Sequence, residues 1–285
     1  IGPKPIVGEF FSGDDDASGR VVSLAVDPRD GNTVYAASAS GGMWKTTDGG
    51  ATWAPKTDEL SILNHGCVAL DPSNPDVVYL GTGEYTVESA GDGIFRSLDG
   101  GVTFERIATK GDVGSQCSRL IIDPTTADII HHTGTGGYAR SLDGGTTWRI
   151  ELSGPCSDLA LNLNDPSVVY VARHGDGIYR SLDGGTTFER LSNGLPNDDV
   201  YRIVLSMAAS DPLVLYAAII DADSGDAGLR GLYKTSDGGA SWSRLNNTPD
   251  FPRPQGWYDC FVGVDPTDAD IVYCGGVFPT YAEAG

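Results

Sequence analysis

The sequence has little positive charge and no long apolar run, and each shortage excludes a class of protein. Lys and Arg total 19 against 39 Asp and Glu, which gives a formal net charge of −20. Nucleic acid and anionic membranes would repel so acidic a chain. Neutral glycans, cations and proteins remain as partners. No apolar stretch approaches the roughly 18 residues of a membrane-spanning helix, so membrane insertion is not expected.

Cysteine is scarce, and its spacing excludes two common motifs. The five residues are Cys67, Cys117, Cys156, Cys260 and Cys274. None forms a CxxC pair, so a zinc ribbon and a thioredoxin-type motif are absent. The cysteines act either as buried small apolar side chains or, in an oxidising compartment, as at least one disulfide.

Glycine is abundant, and much of it belongs to a repeat. The pattern [Ser/Thr]-x-Asp-Gly-Gly-x-[Thr/Ser]-[Trp/Phe] occurs five times, about every 40 to 55 residues. Its aspartates are Asp48, Asp99, Asp143, Asp183 and Asp237, and its aromatic residues are Trp53, Phe104, Trp148, Phe188 and Trp242. Because Asp-Gly-Gly favours a tight hairpin turn, each octamer predicts two short strands joined at that turn.

Two more strands precede each octamer. An apolar run ends in Asp-Pro or a similar pair of residues, as at Asp27-Pro28, and a run rich in Val, Ile and Tyr follows it. Four short strands at this period predict an all-β propeller of four-stranded antiparallel blades. Residues 20–276 hold five complete blades and a partial sixth. We expect a single domain over 1–285, incomplete at its C-terminus, with 1–19 as an arm or closing strand, within a parent ring of about seven blades. The alternative is a six-bladed ring with a degenerate closing blade.

Blade geometry also suggests one cysteine pairing. Cys117 and Cys156 stand at the same offset before the Asp-Pro position of neighbouring blades. If the inner strands face each other, these two are candidates for a disulfide.

The octamer resembles the Asp-box, or BNR repeat, of sialidases, sortilin-type receptors, two-propeller xyloglucanases and photosystem assembly propellers. The whole chain resembles secreted bacterial BNR-repeat proteins of the glycosyl hydrolase-like and sortilin-like kind, including the stretch Gln255-Gly256-Trp257-Tyr258-Asp259. The resemblance implies an extracellular, cell-surface or periplasmic protein. It also implies that the ten octamer residues named above are structural.

Loops between blade strands carry the candidate functional residues. Glu84 and Asp92 lie with Tyr85 and Glu88 in the long loop 81–93. Two carboxylates beside an aromatic ring are what glycoside hydrolysis requires. Solvated loop acids are the alternative explanation.

Two further groups are candidates for ligand binding. Trp257, Tyr258 and Asp259 could stack on a sugar, or could pack within the protein instead. Arg173, His174 and Asp176 form a polar set in which Arg could hold a carboxylate, or could be turn residues.

Metal binding has one weak candidate. Asp221, Asp223 and Asp226 alternate like the ligands of a calcium loop, but the glutamate that ends an EF-hand loop is absent. A plain acidic loop is the alternative, and no other cofactor is expected. His131 and His132 are adjacent on a strand and so point to opposite faces, which disfavours a shared metal.

The resemblance to known enzymes weighs against catalysis. In the xyloglucanases a catalytic Asp lies in a first-blade stretch that matches Tyr35–Trp44 here, and its position is occupied by Ala39. Neither the Phe-Arg-Ile-Pro motif nor the arginine triad of sialidases is recognisable in the sequence. We therefore predict a secreted or cell-surface, non-catalytic propeller that binds a glycan or a protein. The alternatives are a glycoside hydrolase that uses loop carboxylates and an assembly or scaffold subunit. The oligomeric state is open.

Overall fold

The computed structural model describes residues 20–277, apart from 88, 199 and 222–226. Within these residues the chain is built of short strands and one helical turn, α1, at Lys110–Val113. The chain divides into two compact units, Ile1–Ile150 and Glu151–Gly285.

The described part of the first unit contains three antiparallel sheets in which consecutive strands pair. Sheet 1 consists of β1 (Val21–Val26), β2 (Val34–Ser38), β3 (Met43–Thr46) and β4 (Ala54–Pro55). Sheet 2 consists of β5 (His65–Leu70), β6 (Val78–Thr82), β7 (Ile94–Ser97) and β8 (Glu105–Ala108). Sheet 3 consists of β9 (Cys117–Ile122), β10 (Ile130–Gly134), β11 (Gly137–Ser141) and β12 (Arg149–Ser153), and the boundary between the units falls within β12.

The second unit repeats the same plan. Sheet 4 consists of β13 (Cys156–Leu161), β14 (Val169–Arg173), β15 (Gly177–Ser181) and β16 (Glu189–Arg190). Sheet 5 consists of β17 (Val200–Met207), β18 (Leu215–Asp221), β19 (Leu229–Thr235) and β20 (Ser243–Arg244). Sheet 6 is a two-stranded sheet of β21 (Cys260–Val264) and β22 (Val272–Gly276).

This architecture confirms the predicted all-β propeller fold, with five four-stranded blades and two strands of a sixth among the described residues. The single domain over 1–285 and the parent ring of about seven blades stay predictions. Residues 1–19, predicted as an arm or closing strand, lie outside the described residues.

Each octamer forms a turn around its aspartate. Asp48 Oδ1 accepts hydrogen bonds from the Thr52 backbone N–H and the Thr46 hydroxyl, and Thr52 Oγ1 donates to Oδ2. Gly49 and Gly50 have φ of 70° and 93°, which is the left-handed backbone that favours glycine. The Thr52 contacts and the Thr46 hydroxyl lower the pKa of Asp48 to about 2. Asp99, Asp143, Asp183 and Asp237 make equivalent contacts.

The octamer aromatic residues support the packing of the sheets within each unit. Trp242 is buried in the core between sheets 4 and 5. Phe104 and Trp148 pack as half-buried rings against cores of the first unit. Trp53 and Phe188 are also half-buried.

A tyrosine in the second strand of most sheets connects each sheet to the next. The Tyr35 hydroxyl donates to the Gly100 carbonyl at 3.1 Å, and Tyr170 donates to the Gly238 carbonyl at 2.7 Å. Both acceptors are the first glycine of an octamer turn in the following sheet. The turn therefore supplies a hydrogen-bond acceptor to its neighbour, which keeps these buried hydroxyls satisfied.

The inner strand of each complete sheet is bulged near its start. One extra residue reverses the side to which the residues before it point. This irregularity decides both the disulfide and part of the candidate site.

Cys67 of β5 and Cys117 of β9 form a disulfide, with Cα atoms 6.4 Å apart. The predicted pairing of Cys117 with Cys156 is wrong, because Cys156 is buried and is not part of a disulfide. Cys117 and Cys156 occupy equivalent positions at the bulge, so each presents its side chain to the same side of its own sheet. Cys67 lies beyond the bulge and points the other way, toward sheet 3.

Candidate functional site

Glu84 lies in the loop after β6 and is buried at 2% exposure. Its carboxylate forms an ion pair with the Arg20 guanidinium and accepts a hydrogen bond from the Thr86 hydroxyl at 2.6 Å. Arg20 therefore covers this carboxylate and neutralises a charge that would be costly to bury alone.

Close backbone packing fixes the position of Glu84. The preceding residue, Gly83, has φ 78°, donates to the Asn64 carbonyl and accepts from the Cys117 backbone N–H at 3.0 Å. A Cβ on Gly83 would overlap the Ser115 carbonyl. The loop is thus fastened to the start of β9, beside the disulfide.

Asp92 ends the same loop and is more accessible. Its side chain is 35% exposed and forms an ion pair with Arg106, while its backbone N–H donates to Thr82 Oγ1 at 2.7 Å. Tyr85 is half-buried, and Glu88 lies outside the described residues. Of the two catalytic candidates, only Asp92 presents a carboxylate to solvent.

The turn around Ala39 carries no carboxylate of its own but connects to Glu84. The Ala39 N–H donates to the Arg20 carbonyl at 3.1 Å, and the Gly41 N–H donates to Ser38 Oγ at 2.8 Å. Arg20 therefore contacts this turn through its backbone and Glu84 through its side chain.

In the second unit, Arg173 and Asp176 belong to a hydrogen-bonded network. Asp176 Oδ2 accepts from Arg173 Nη1 and from the Tyr179 hydroxyl at 2.9 and 2.7 Å. Arg190 Nε donates to Oδ1 at 3.0 Å. Burial alone opposes the charged form, but the bonds from Tyr179 and Arg190 hold the pKa of Asp176 below its usual value. With its acceptors occupied, Asp176 positions the loop, and Arg173 is engaged with it.

His174 points instead toward an exposed tyrosine. The His174 and Tyr201 rings meet edge to face, with centroids 4.3 Å apart. Burial, and then the positive charge of Arg202, lowers the pKa of His174. His174 is therefore a neutral hydrogen-bonding ring near neutral pH.

Arg202 connects this pair to the second group of candidates. Arg202 Nη1 donates to the Tyr258 carbonyl at 2.7 Å and lies 3.4 Å from the Trp257 carbonyl. The Trp257 and Tyr258 rings are 5.2 Å apart and tilted. Asp259 is half-buried, and its N–H donates to the Gln255 carbonyl, which closes the turn.

The structure therefore brings His174, Tyr201, Arg202, Trp257 and Tyr258 into one group, which we call the aromatic patch. Trp257 and Tyr201 are each 38% exposed. Tyr201 and Arg202 were missed by the sequence analysis. They lie in the bulge of β17, between Val200 and Ile203. Their place at the start of an inner strand, directly after the loop between two blades, was the one signal that could have found them.

The calcium loop stays a prediction. Asp221 is half-buried, with its Oδ1 3.8 Å from Arg230 Nη1. Asp223 and Asp226 lie outside the described residues. Among the residues that are described, no cluster of three or more His, Cys, Asp or Glu could hold a metal ion.

His131 and His132 both lie in β10 and are buried. His131 Nδ1 is 2.7 Å from the Tyr138 hydroxyl, and His132 meets Trp148 edge to face.

In the part of the chain that the structure covers, no helix is long and apolar enough to cross a membrane.

The fold and loops define a β-propeller with an exposed aromatic patch and loop carboxylates. No family model matches the chain. It is 25% identical over 246 residues to a xyloglucanase of Paenibacillus sp, covering 81% of this chain and 21% of that protein. It is 30% identical over 143 residues to an oligoxyloglucan-reducing end-specific xyloglucanase of Emericella nidulans, covering 46% of this chain and 18% of that protein. The chain thus spans about a fifth of the length of these relatives.

Solved structures show the same fold. An ancestral GH74 enzyme superposes with a TM-score of 0.73 at 20% identity, over 92% of this chain and 36% of that one. YCF48 bound to D1 peptide superposes with a TM-score of 0.56 at 17% identity, over 81% of this chain and 67% of that one. These likenesses confirm the β-propeller part of the predicted resemblance.

The prediction of a non-catalytic binding propeller is wrong by these comparisons. The curated relatives are xyloglucanases, which favours the glycoside hydrolase alternative. The prediction gave too much weight to Ala39. A missing carboxylate at one position does not decide the activity when loop 81–93 carries others and the relatives extend far beyond the matched region.

Proposed function

We propose that this chain is part of a glycoside hydrolase that acts on xyloglucan. The observation that carries the proposal is the match to curated xyloglucanases over as much as 81% of the chain. A neutral, hydroxyl-rich polysaccharide also suits a protein with a formal charge of −20, because it imposes no electrostatic penalty.

The aromatic patch is the sugar-binding surface in this proposal. Sugar rings present apolar C–H faces and polar edges. Trp257 and Tyr201 offer exposed flat rings, and aromatic side chains with a polar group suit such amphipathic ligands. Arg202 and His174 supply polar groups beside the rings for the sugar hydroxyls.

Asp92 is the catalytic candidate that a substrate can contact. Glycoside hydrolysis uses one carboxyl group as acid and a second as base or nucleophile. Glu84 is enclosed by Arg20, so we assign it to positioning the loop, while the partly exposed Asp92 carboxylate, paired with Arg106, is the one that substrate can reach.

We also propose that the protein works outside the cytoplasm. The Cys67–Cys117 disulfide supports this location, because disulfides persist in oxidising compartments and are rare in the cytosol. We also propose that the octamers are BNR repeats, because each forms a turn centred on its aspartate.

The test is release of reducing ends from xyloglucan by the complete protein and its variants. Trp257→Ala should raise KM about tenfold, because a large apolar contact is lost while the chemistry is untouched. Asp92→Asn should lower kcat by roughly 100-fold or more if Asp92 transfers a proton.

Two control variants separate these effects from general damage. Leu163→Ala truncates an apolar side chain that is 55% exposed in the same unit as Trp257. Asp76→Asn removes the charge of another ion-paired aspartate between strands of the same sheet as Asp92. Both should behave as wild type. Absence of xyloglucan cleavage by the folded complete protein would contradict the proposal, and full activity of Asp92→Asn would remove that residue from the mechanism.

A further inference from the structure

A network of hydrogen bonds surrounds Asp176, in the turn 173–176 at the end of β14. Arg190 approaches from β16, where its Nε donates to Asp176 Oδ1 at 3.0 Å and its Nη2 donates to the Asp176 carbonyl at 2.9 Å. Arg173 and the Tyr179 hydroxyl both donate to Oδ2. We call these four residues the Asp176 network. Several charges joined in one network hold a loop more firmly than a single exposed ion pair does.

The same turn carries a ring of the aromatic patch. The His174 ring meets the Tyr201 ring edge to face, and the Gly175 N–H donates to the Tyr201 carbonyl at 2.9 Å. Arg173 and Asp176 are the first and last residues of the turn. The His174 ring therefore projects from between two residues that the network anchors.

The network also reaches two neighbouring loops. Arg190 Nη1 lies 3.4 Å from Asn197 Oδ1, in the loop that leads to Tyr201 and β17. Arg173 packs on the backbone before β13, where a Cβ on Gly154 would lie 2.9 Å from its Nη2. The two arginines thus join the turn to the segments on either side of it in the sequence.

A comparison of the sheets shows that a blade forms without this network. Asp176 stands seven residues before the octamer aspartate of its sheet, and Arg190 stands seven residues after it. Asp92 and Arg106 occupy the same two positions in sheet 2, and they also form an ion pair. Sheets 1, 3 and 5 have four strands each, although their residues at the first position are Gly41, Gly136 and Arg230. The Asp–Arg pair therefore acts on the nearby turn rather than on the sheet as a whole.

We propose that the Asp176 network positions His174 and Tyr201 in the aromatic patch, so that Asp176 and Arg190 strengthen sugar binding without contacting the sugar. The inference rests on the proposed function, in which the patch holds the substrate. A sugar that meets rings already held in place does not have to order them, and this saving appears as tighter binding. Asp176 and Arg190 are then positioning residues.

Asp176→Asn tests the role in binding, because it removes the charge and leaves one carbonyl oxygen where three donors meet. The KM of the complete protein for xyloglucan oligosaccharides, and their Kd in calorimetry, should rise by roughly threefold to tenfold, since the sugar must then order two rings. The kcat should not change, because no residue of the network is assigned to the chemistry. Arg190→Gln should have the same effect. The double variant should bind no more weakly than either single variant, because both changes break the same contact.

The His174 ring measures the positioning directly. Burial, and then the charge of Arg202, lowers the pKa of His174 in the wild type. When Asp176→Asn releases the turn, the ring gains contact with water, and its pKa should rise toward the ordinary value in an NMR titration of the imidazole protons. Removing a negative charge nearby would by itself lower the pKa of a histidine. A rise therefore reports the movement of the ring and not the lost charge.

Glu189→Gln is the matched control, because it makes the same kind of change one residue from Arg190. The Glu189 side chain is 57% exposed and pairs with Arg180 in the same sheet. Its KM and its His174 titration should match the wild type. Tyr179→Phe removes one hydrogen bond of the network and should shift both quantities in the direction of Asp176→Asn, by less. Thermal unfolding checks that every variant is folded.

The two measurements separate this inference from the proposed function. An unchanged His174 titration in Asp176→Asn would overturn the positioning role, whether or not the protein binds xyloglucan. A changed titration with a wild-type KM would overturn the role in sugar binding. A folded wild type that neither binds nor cleaves xyloglucan would contradict the proposed function, while the titration would still decide whether the network holds the ring.

Discussion

Reducing the Cys67–Cys117 disulfide should destabilise the first unit by an amount that the structure allows us to estimate. The two cysteines are separated by 50 residues and join the inner strands of sheets 2 and 3. Closing a loop of that length removes about 14 cal/mol/K of entropy from the unfolded chain, or about 4 kcal/mol at 25 °C. The folded contacts change little, since the two sulfurs remain where they are buried.

The assay is urea unfolding of the purified chain with and without reductant, followed by fluorescence. Reduction should lower the unfolding free energy of the first unit by up to about 4 kcal/mol, or its Tm by roughly 10 °C. The double variant Cys67→Ala/Cys117→Ala is the control, because its three remaining cysteines form no disulfide. Reductant should leave its midpoint unchanged.

Thiol titration in denaturant tests the premise directly. Three thiols should react before reduction and five after it. Five reactive thiols in the unreduced chain would refute the reasoning at its first step. An equal effect of reductant on the wild type and the double variant would refute the estimate.

The remaining predictions concern pH, packing and the octamer turn. Burial lowers the pKa of His131 to about 4 and of His132 to about 3. Their contribution to stability is therefore complete above pH 6.5 and falls as the pH drops, so that the free energy of unfolding is lower by about 2 kcal/mol per residue at pH 5. Urea midpoints measured at pH 7.5 and at pH 5 should show this loss. The midpoint of His132→Phe should depend less on pH. Gly81→Ala should lower Tm because the new Cβ would overlap Cys117 Sγ and lie 2.7 Å from Cys67 Sγ, whereas Gly31→Ala, with open space around it, should not. Above pH 4, Asp48→Ala should have a lower Tm than the wild type. The difference in Tm should shrink below pH 3.8, as the pH approaches the lowered Asp48 pKa of about 2. A difference that does not change with pH would show that the charge of Asp48 does not stabilise the turn.

The repeat made the fold predictable. Asp-Gly-Gly turns and alternating apolar runs specify short antiparallel hairpins through local interactions, as the contacts of Asp48 with Thr46 and Thr52 show. Tyr35, Tyr79, Tyr170 and Tyr216 are then buried where equivalent surfaces of consecutive sheets stack. The turns and hairpins need no information about distant residues, so the five blades could be predicted from the sequence alone.

The candidate site was predicted only in part. Trp257 and Tyr258 were identified because a Trp-Tyr pair in a loop is conspicuous, and the structure places Trp257 at the surface. Tyr201 and Arg202 were missed because their orientation depends on the bulge in β17. A bulge is one extra residue in a pairing register, and register is a property of two strands rather than of one.

The sequence by itself determined the repeating blade and its turns, because those rest on contacts between residues a few positions apart. Tertiary structure decided the rest. It paired Cys67 with Cys117, enclosed Glu84 beneath Arg20 and left Asp92 partly exposed. Each of these outcomes depends on which side of a strand a residue faces and on which loop lies beside it. Those relations arise only when separate segments pack together, so no local pattern records them.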